Sequence, residues 1–575
     1  KHLHSKTTFF PETECIPLDG AIKKSQHTLL HDDNHIGRIN RINYEICVFK
    51  NLRDKLRTKE VWIRNAFLYR NPEEDLPQDF EENRNHYYQA LNKTQDEKTF
   101  VKELKSEMTK HLRMFNLSIK NNKQVQILKK PHGRIKIEKP VAQTPPEQLE
   151  KIKQEVLKRW PSTSLLDVLK EADMCIDFLS QFVASGPKEG LSKNEIRKRL
   201  LLAILGYGTN TGLKSVSVGN KDINYNDLRQ IRLRYLDPDN LRKAIMSVVN
   251  SLLKIRAPKI WGESTTAVAS DSTHFHASDQ NLMSQWHPRY KDKGIMVYWH
   301  VDTKSLCIYS QLKSCSSSEV ASMMEGVLRH CTEMNVGKNY VDTHGASEVG
   351  FAFAHMLNFD LLPRFKNIHA QKLYLPEPGS ADQYSNLEPI LSRSIKWELI
   401  ESQYDQIVKY TTALRLGTAD SETILKRFTR NNIQHPTYKA LAELGKAIKT
   451  IFLCRYLSSK ALRQEIHEGL NVVERWNGIN DFIFYGKVGS FRTNNPEEAE
   501  LSMLCLHLLQ ISMVYINTLM LQQVIHESHW LPRLTLEDKR AITPLLHKHI
   551  NPYGLFLLDL STRLPINHST FIEAA

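Results

Sequence analysis

Two aspartates, Asp271 and Asp342, each follow a short run of β-favouring residues, and this repeat is the first sign of chemistry in the 575-residue chain. Thr265-Thr266-Ala267-Val268-Ala269-Ser270 delivers Asp271 at its end, and Asn339-Tyr340-Val341 delivers Asp342. Between them Gly294 to Val301 and Leu306 to Leu312 read as two strands joined by a turn over Asp302 to Ser305. A helix follows to His330, with Ser317 or Ser318 as its N-cap. The local order is strand with Asp, hairpin, helix, strand with Asp. Carboxylates at the ends of neighbouring strands can share divalent cations, because Mg²⁺ takes oxygen ligands and accepts few from protein. A two-metal site of that kind activates a water or hydroxyl and stabilises the leaving oxygen in phosphodiester cleavage. The plainer alternative is that each aspartate merely closes a strand.

Other groups in the same stretch have competing explanations. His274 and His276 share one face of a strand, as in the H-x-H of a zinc hydrolase, but no second pair stands at a suitable spacing. Asp279 and Asp302 are the nearest other acids, and Asp302 falls in the expected turn, where Asp is common for its own backbone hydrogen bonds. Further upstream, Gly206-Tyr207-Gly208-Thr209-Asn210-Thr211-Gly212 is glycine-rich, yet it has neither the P-loop nor the dinucleotide pattern, so an ATP-binding loop is excluded.

The elements that must carry these residues are mostly helical. Lys and Arg number 78 against 64 Asp and Glu, giving +14 and a pI near 9.2, which suits a polyanionic partner. The length implies several domains. Alternation in Val125 and Ile127, then Ile135 and Ile137, around Pro131-His132-Gly133 predicts a hairpin rich in cations, among them Lys129, Lys130 and Arg134. These can be a solvated edge or a DNA-backbone contact. Arg364, Lys366, Lys487 and Arg492 lie near the catalytic elements in sequence and are further candidates for phosphate contact. The eight cysteines are scattered without a C-x-x-C pair, which points to a reducing, cytoplasmic compartment. Leu501 to Ile525 carries no Asp, Glu, Lys or Arg, but His507, Gln510, Asn517, Gln522 and Gln523 interrupt it, so a buried core helix is expected rather than a membrane span. The chain opens on Lys1 with neither an initiator Met nor a charged-then-apolar leader, as a piece of a longer polypeptide would.

A helix near Leu470 carries further acids. Leu462, Ile466, Leu470 and Val473 form its apolar stripe; Glu468 falls opposite, and Glu465 and Glu474 take opposite shoulders. Periodicity does not choose between those two.

The strings SDSTHFHASDQNLMSQWHPRY, IYSQLKSCSSSEV, NYVDTHGASEVGFAFAHMLNFDLLPR, KYTTALRLGTA and GLNVVERWN, with LRTKEVWIRNAFLYRNPEEDLPQDF and LLLAILGYGTNTGL upstream, resemble the transposases of the Tn-three family, which move replicative bacterial transposons. Ser272 and Thr273 depart from the Gly and Gln that often follow the first Asp in that family. The resemblance implies an α+β chain, mostly helical and multidomain, around a ribonuclease-H-like DDE core with a helical insertion. It implies Asp271, Asp342 and Glu474 as the catalytic and metal-binding triad, choosing Glu474 over Glu465, with two Mg²⁺, or Mn²⁺ in their place. The domains then expected are a helical tail of a DNA-binding region over 1–122, a basic hairpin and linker over 123–146, and a helical linker domain over 147–262. The core follows over 263–366, then a helical insertion over 367–455, and the rest of the core with the third acid over 456–575. The implied activity is cleavage of transposon 3′ ends and strand transfer by a homodimer acting on terminal inverted repeats and target DNA. No membrane and no small-molecule substrate enter. A nuclease that cuts without joining, and an inactive DNA-binding scaffold, are the alternatives.

Overall fold

A strand covered on both faces has no polar side to alternate with. Gly294 to Asp302 is of this kind, every residue buried. The computed structural model describes residues 7–31, 37–66, 69–129, 133–138, 146–186, 190–262, 265–428, 435–491, 493–527 and 530–567. In it this strand is the centre of a six-stranded mixed sheet. The strands are β1 (Ala267–His276), β2 (Gln285–His287), β3 (Asp292–Asp302), β4 (Cys307–Ser314), β5 (Lys338–Val341) and β6 (Asp360–Pro363). β1, β2 and β4 all pair antiparallel with β3, whereas β5 and β6 add in parallel beyond β1.

Asp302 is part of the frame rather than of the chemistry. Fully buried in the hairpin turn, its Oδ1 accepts from the Lys304 and Leu306 amides, and its Oδ2 accepts from Arg256 Nη1 at 2.6 Å.

Helices cover both faces. In chain order those that matter are α1 (Leu165–Ile176), α2 (Lys193–Gly208), α3 (Pro238–Ile255), α4 (Glu319–Arg329), α5 (Glu348–Met356), α6 (Lys460–Ile483) and α7 (Pro496–Ile525). Ser318 is the N-cap of α4, its Oγ accepting from the Ala321 amide. α4 lies so close to β3 that a Cβ on Gly326 would stand 1.9 Å from His300 Nε2. His300 in turn bonds Ser270 of β1 through Nδ1 at 2.8 Å. On the opposite face α6 presses on β5, where a Cβ on Gly469 would stand 2.4 Å from the Tyr340 ring. Trp476 of α6 meets Trp299 of β3 with ring centroids 5.9 Å apart.

α7 is the one helix among the described residues long and apolar enough to cross a membrane, and its apolar window is 100% buried in the protein. It packs against α1, α2, α3, α6 and β4. Several of its polar groups bond within the protein: His507 bonds Ser310, Gln510 donates to the Trp476 carbonyl, and Asn517 donates to the carbonyls of Pro544 and Leu546. It is a core helix.

The chain divides into two compact units, Lys1–Glu103 with Lys396–Gly445, and Leu104–Ile395 with Lys446–Ala575. The first is helical, and Asp405 ties it together by accepting from Arg84 and from the Tyr88 hydroxyl. The second holds the sheet. Residues 367–395, taken from sequence as the start of a helical insertion, instead contain two short parallel strands, Leu373–Leu375 and Leu391–Ser394. Pro376, Pro378 and Gly379 in the intervening segment oppose helix there, and the helices begin at Trp397. Val125–Leu128 and Arg134–Ile137 pair as an antiparallel hairpin.

Candidate active site

Register brings the two aspartates together. β1 and β5 run parallel, and their last paired residues are Ser270 and Val341, so Asp271 and Asp342 are each the next residue along. Strands pair about 4.8 Å apart, so two side chains one step beyond such a pair emerge at a single edge. Asp342 ends its strand and caps the turn Thr343–Gly345, its Oδ1 accepting from the Thr343 amide at 2.7 Å. Asp271 does not end its strand. β1 continues to His276 because the longer β3 goes on pairing with it after β5 has stopped.

Alternation directs Asp271, Thr273 and Phe275 toward α6. Asn477 of α6 donates to Asp271 Oδ2 at 3.3 Å, Asn480 donates to Thr273, and Phe275 packs against Phe484 just past the helix. Glu474, one turn before Asn477, reaches Arg364, which donates to its Oε1 at 3.1 Å. Arg364 and Lys366 leave the end of β6, and Lys366 Nζ donates to Asp342 Oδ2 at 2.6 Å. The Thr343 hydroxyl locks the two loops together by donating to the Arg364 carbonyl and accepting from the Lys366 amide.

Glu465 lies at the other end of β5. It accepts from Lys338 Nζ and from the Tyr340 hydroxyl at 2.6 Å. Nine residues of helix separate it from Glu474, a rise of about 13 Å, so the two acids serve opposite ends of one strand.

The electrostatics follow from this packing. Burial pushes the Asp271 carboxyl up to about 7, and the charges of Glu319, Asp342 and Glu474 push the same way against a hydrogen bond from the Ser272 amide. Burial also works to raise Asp342, but Lys366, the Thr343 amide and the Arg364 charge outweigh it and hold it below its ordinary value. No cation is among the leading influences on Asp271, whereas Lys366 and Arg364 are among those on Asp342.

Among the described residues no three of His, Cys, Asp and Glu are gathered tightly enough to grip an ion as they stand. Two of the carboxylates are instead engaged by Lys366 and Arg364. The donor set nevertheless suits a hard divalent cation: three carboxylates, together with Asn477 Oδ1, a buried oxygen with no hydrogen-bond partner beside Asp271. The imidazoles are employed otherwise. His276 bonds Asp292 at 2.8 Å and His274 stacks on Tyr290. Asp279 pairs with Lys293.

Of the predicted phosphate contacts, Arg364 and Lys366 join the three acids. Lys487 sits apart in the turn Gly486–Gly489, where Gly486 lies against the backbone of Asn210. Lys129 and Arg134 are exposed on the hairpin, whose Gly133 abuts Pro389. Lys130 and Arg492 lie outside the described residues. Sequence reasoning missed Asn477. Asn477 is one turn past Glu474, a spacing that places both on one side of a helix.

A family model described as the Tn3 transposase DDE domain matches residues 167–556. The chain is 26% identical to the transposase for transposon Tn1546 from Enterococcus faecium, over 96% of this chain and 55% of that one. It is 23% identical to the transposase for transposon Tn21 from Escherichia coli, with the same coverage, and 23% identical to that for transposon gamma-delta from Escherichia coli (strain K12), over 91% and 53%. The chain spans about half the length of the curated relatives it matches. A DDE domain is built on a ribonuclease-H-like core, and a mixed sheet with three antiparallel strands continued by parallel ones between helical layers has that form. On the extent of the match the chain belongs to the Tn3 transposase DDE-domain family.

Proposed function

We propose that this chain carries the catalytic part of a DNA transposase, which cuts the 3′ ends of a transposon and joins them to target DNA in replicative transposition. The observation that carries the reading is the nearness of Asp271, Asp342 and Glu474, drawn from two parallel strands and the helix over them, in a chain of this family.

Asp271, Asp342 and Glu474 would hold two Mg²⁺, or Mn²⁺ in their place. When bound, such ions polarise the phosphoryl oxygens and neutralise charge on the attacking and leaving oxygens. The chain's own residues do the rest. Asp271 lies within electrostatic reach of the other two acids, and Asn477 orients it. Lys366 and Arg364, engaged by carboxylates in the protein alone, turn to DNA phosphates when those carboxylates take up cations. Lys487, Arg492, Lys129, Lys130 and Arg134 contact the DNA backbone farther out. In the first reaction water adds its oxygen to phosphorus and the 3′ oxygen leaves as a hydroxyl. In the second that hydroxyl attacks a target phosphodiester and displaces the target's 3′ oxygen. Neither step needs a protein nucleophile.

The partners in this reading are terminal inverted repeats, target DNA and a second copy of the protein, in the bacterial cytoplasm. The division into a DNA-binding tail, basic hairpin, linker domain, interrupted core and insertion belongs to the same proposal. Asp271→Ala, Asp342→Ala and Glu474→Ala should each abolish 3′-end cleavage while leaving transposon-end binding intact. Cleavage surviving in one of them removes that residue from the triad. A pre-cut end separates the transposase from a nuclease on the same core, since only the transposase makes the joined product.

A further inference from the structure

The strands that deliver Asp271 and Asp342 are covered on both faces just ahead of those acids. Ala267 to Ser270 of β1, Gly294 to Asp302 of β3 and Asn339 to Val341 of β5 are all buried. In a sheet with one wet face, a slip of one residue is opposed because it would turn the apolar set outward. Here both faces are dry, so that contrast is missing. Something else must distinguish the right pairing from its neighbours.

Buried polar side chains on the α4 face do so. Ser270 Oγ donates to Asn339 Oδ1 of β5 at 2.9 Å and bonds His300 Nδ1 of β3 at 2.8 Å. His300 Nε2 meets Gln311 Nε2 of β4 at 3.4 Å, and Gln311 donates to the Ser322 carbonyl of α4 at 2.7 Å. One hydrogen-bonded chain thus crosses β4, β3, β1 and β5 in their order in the sheet, and none of its four side chains is more than 5% exposed. Burial pushes the His300 imidazole down to about 3, so the chain stays uncharged. Gly326 leaves the space that this ring fills, although glycine weakens the interior of a helix.

Stability does not account for the chain. Its two ends, Asn339 Nδ2 and Gln311 Oε1, are buried without a hydrogen-bond partner among the described residues. A buried network satisfied only in part is commonly no more stable than apolar side chains of similar volume. What it supplies is matching between strands. Ser270 pairs with His300 across β1 and β3 and with Val341 across β1 and β5, and the next residues along are Asp271 and Asp342. A slip of one residue would move β5 about 3.3 Å along β1 and turn its side chains over. Asn339 would then leave Ser270, and Asp342 would leave Asp271.

We propose that Ser270, His300 and Asn339, with Gln311 behind them, are positioning residues of the candidate active site, keying its strands to the one register that sets Asp271 beside Asp342. This rests on reading those aspartates as cation ligands. The four side chains lie on the face away from Asp271 and act through the backbone, Ser270 directly before Asp271 and Asn339 three residues before Asp342.

The test is Mn²⁺ binding to the full chain without DNA, by calorimetry, beside melting in chelator. A variant combining Ser270→Ala, His300→Leu and Asn339→Leu should melt close to the parent yet bind Mn²⁺ about tenfold or more weakly. Ser270→Thr, which keeps the hydroxyl, should bind as the parent does. A chain that serves stability alone gives the reverse, early melting with parental affinity, and that result overturns the proposal. Where the triple variant does not fold, Ser270→Ala against Ser270→Thr carries the comparison. Parental affinity in the triple variant or in Ser270→Ala, with Asp271→Asn weakened, overturns the proposal and leaves the proposed function standing. Parental affinity in Asp271→Asn overturns both.

Discussion

Lys366 donates to Asp342 at 2.6 Å, so the ammonium lies where a divalent cation would have to compete for the same oxygen. Two consequences follow. The protein without metal is neutralised locally by its own side chain. In the function proposed, cation binding displaces that ammonium and frees it for a phosphate. Lys366→Met should tighten Mn²⁺ binding to the DNA-free chain about fivefold, from removal of a nearby positive charge worth roughly 1 kcal/mol. It should lower end cleavage at the same time. Weaker Mn²⁺ binding would show that Lys366 supports the site rather than filling it.

Asp271 sets a pH dependence of stability. Its folded value, about 7, lies above the ordinary carboxylate range, so its stabilising contribution is complete at low pH and is lost as pH rises through 7. The metal-free protein should therefore gain about 2 kcal/mol from Asp271→Asn near pH 8 and almost nothing near pH 4. Thermal melting in chelator at both pH values decides. Equal gains at the two would mean that the carboxylate is not titrating there.

Saturating Mg²⁺ near pH 8 should stabilise the parent chain and not Asp271→Asn. At a hundredfold excess over the dissociation constant the gain is about 2.7 kcal/mol. Melting with and without Mg²⁺ measures it, with Ca²⁺ as a second hard cation.

The two shoulder acids of α6 should differ sharply. Glu474→Gln should abolish 3′-end cleavage. Glu465→Gln keeps an acceptor oxygen but removes the charge that Lys338 and Tyr340 meet at the far end of β5, so it should cost about 1 kcal/mol of stability or less and leave cleavage within severalfold. Gel assays on an end substrate, beside melting curves, separate the two effects.

Gly469→Val should damage both stability and activity. A Cβ there would overlap the Tyr340 ring at 2.4 Å and push α6 away from β5, with Glu474 riding on the displaced helix. A loss of about 2–3 kcal/mol is expected. Gly478→Ala, where a Cβ meets nothing within 4 Å, is the control.

Much of this core can be read from residue patterns alone. The uninterrupted apolar run over β3, the turn at Asp302 and the repeat of strand and aspartate set out the sheet and two of its acids. The uncharged run of α7 from Leu501 to Ile525 was legible as a core helix because amides and a histidine punctuate it. Other features depend on partners far along the chain. Asp271 proved to lie within its strand because β3 is longer than β5, and strand length depends on what pairs with it. β2, three residues long, is too short to leave a periodicity. Asn477 occupies a position where helices routinely carry polar groups, so only the fold reveals what it faces. Arg364 and Lys366 were placed by closeness in sequence to β6. Lys129 and Arg134 were placed by alternation on the hairpin, and Lys487 by closeness in sequence to α6; all three stand on elements separate from the three acids.

The environment of α7 limits how this enzyme can be dissected. An expression boundary drawn just before β1 would keep all three acids and the whole sheet, yet it would discard α1, α2 and α3, which wrap the uncharged rod that α7 forms from Leu501 to Ile525. The stripped fragment would present that rod to water and clump with its own kind. The helices upstream of the sheet are therefore structural members of the DDE module, and a minimal fragment that stays dispersed has to begin ahead of Leu165.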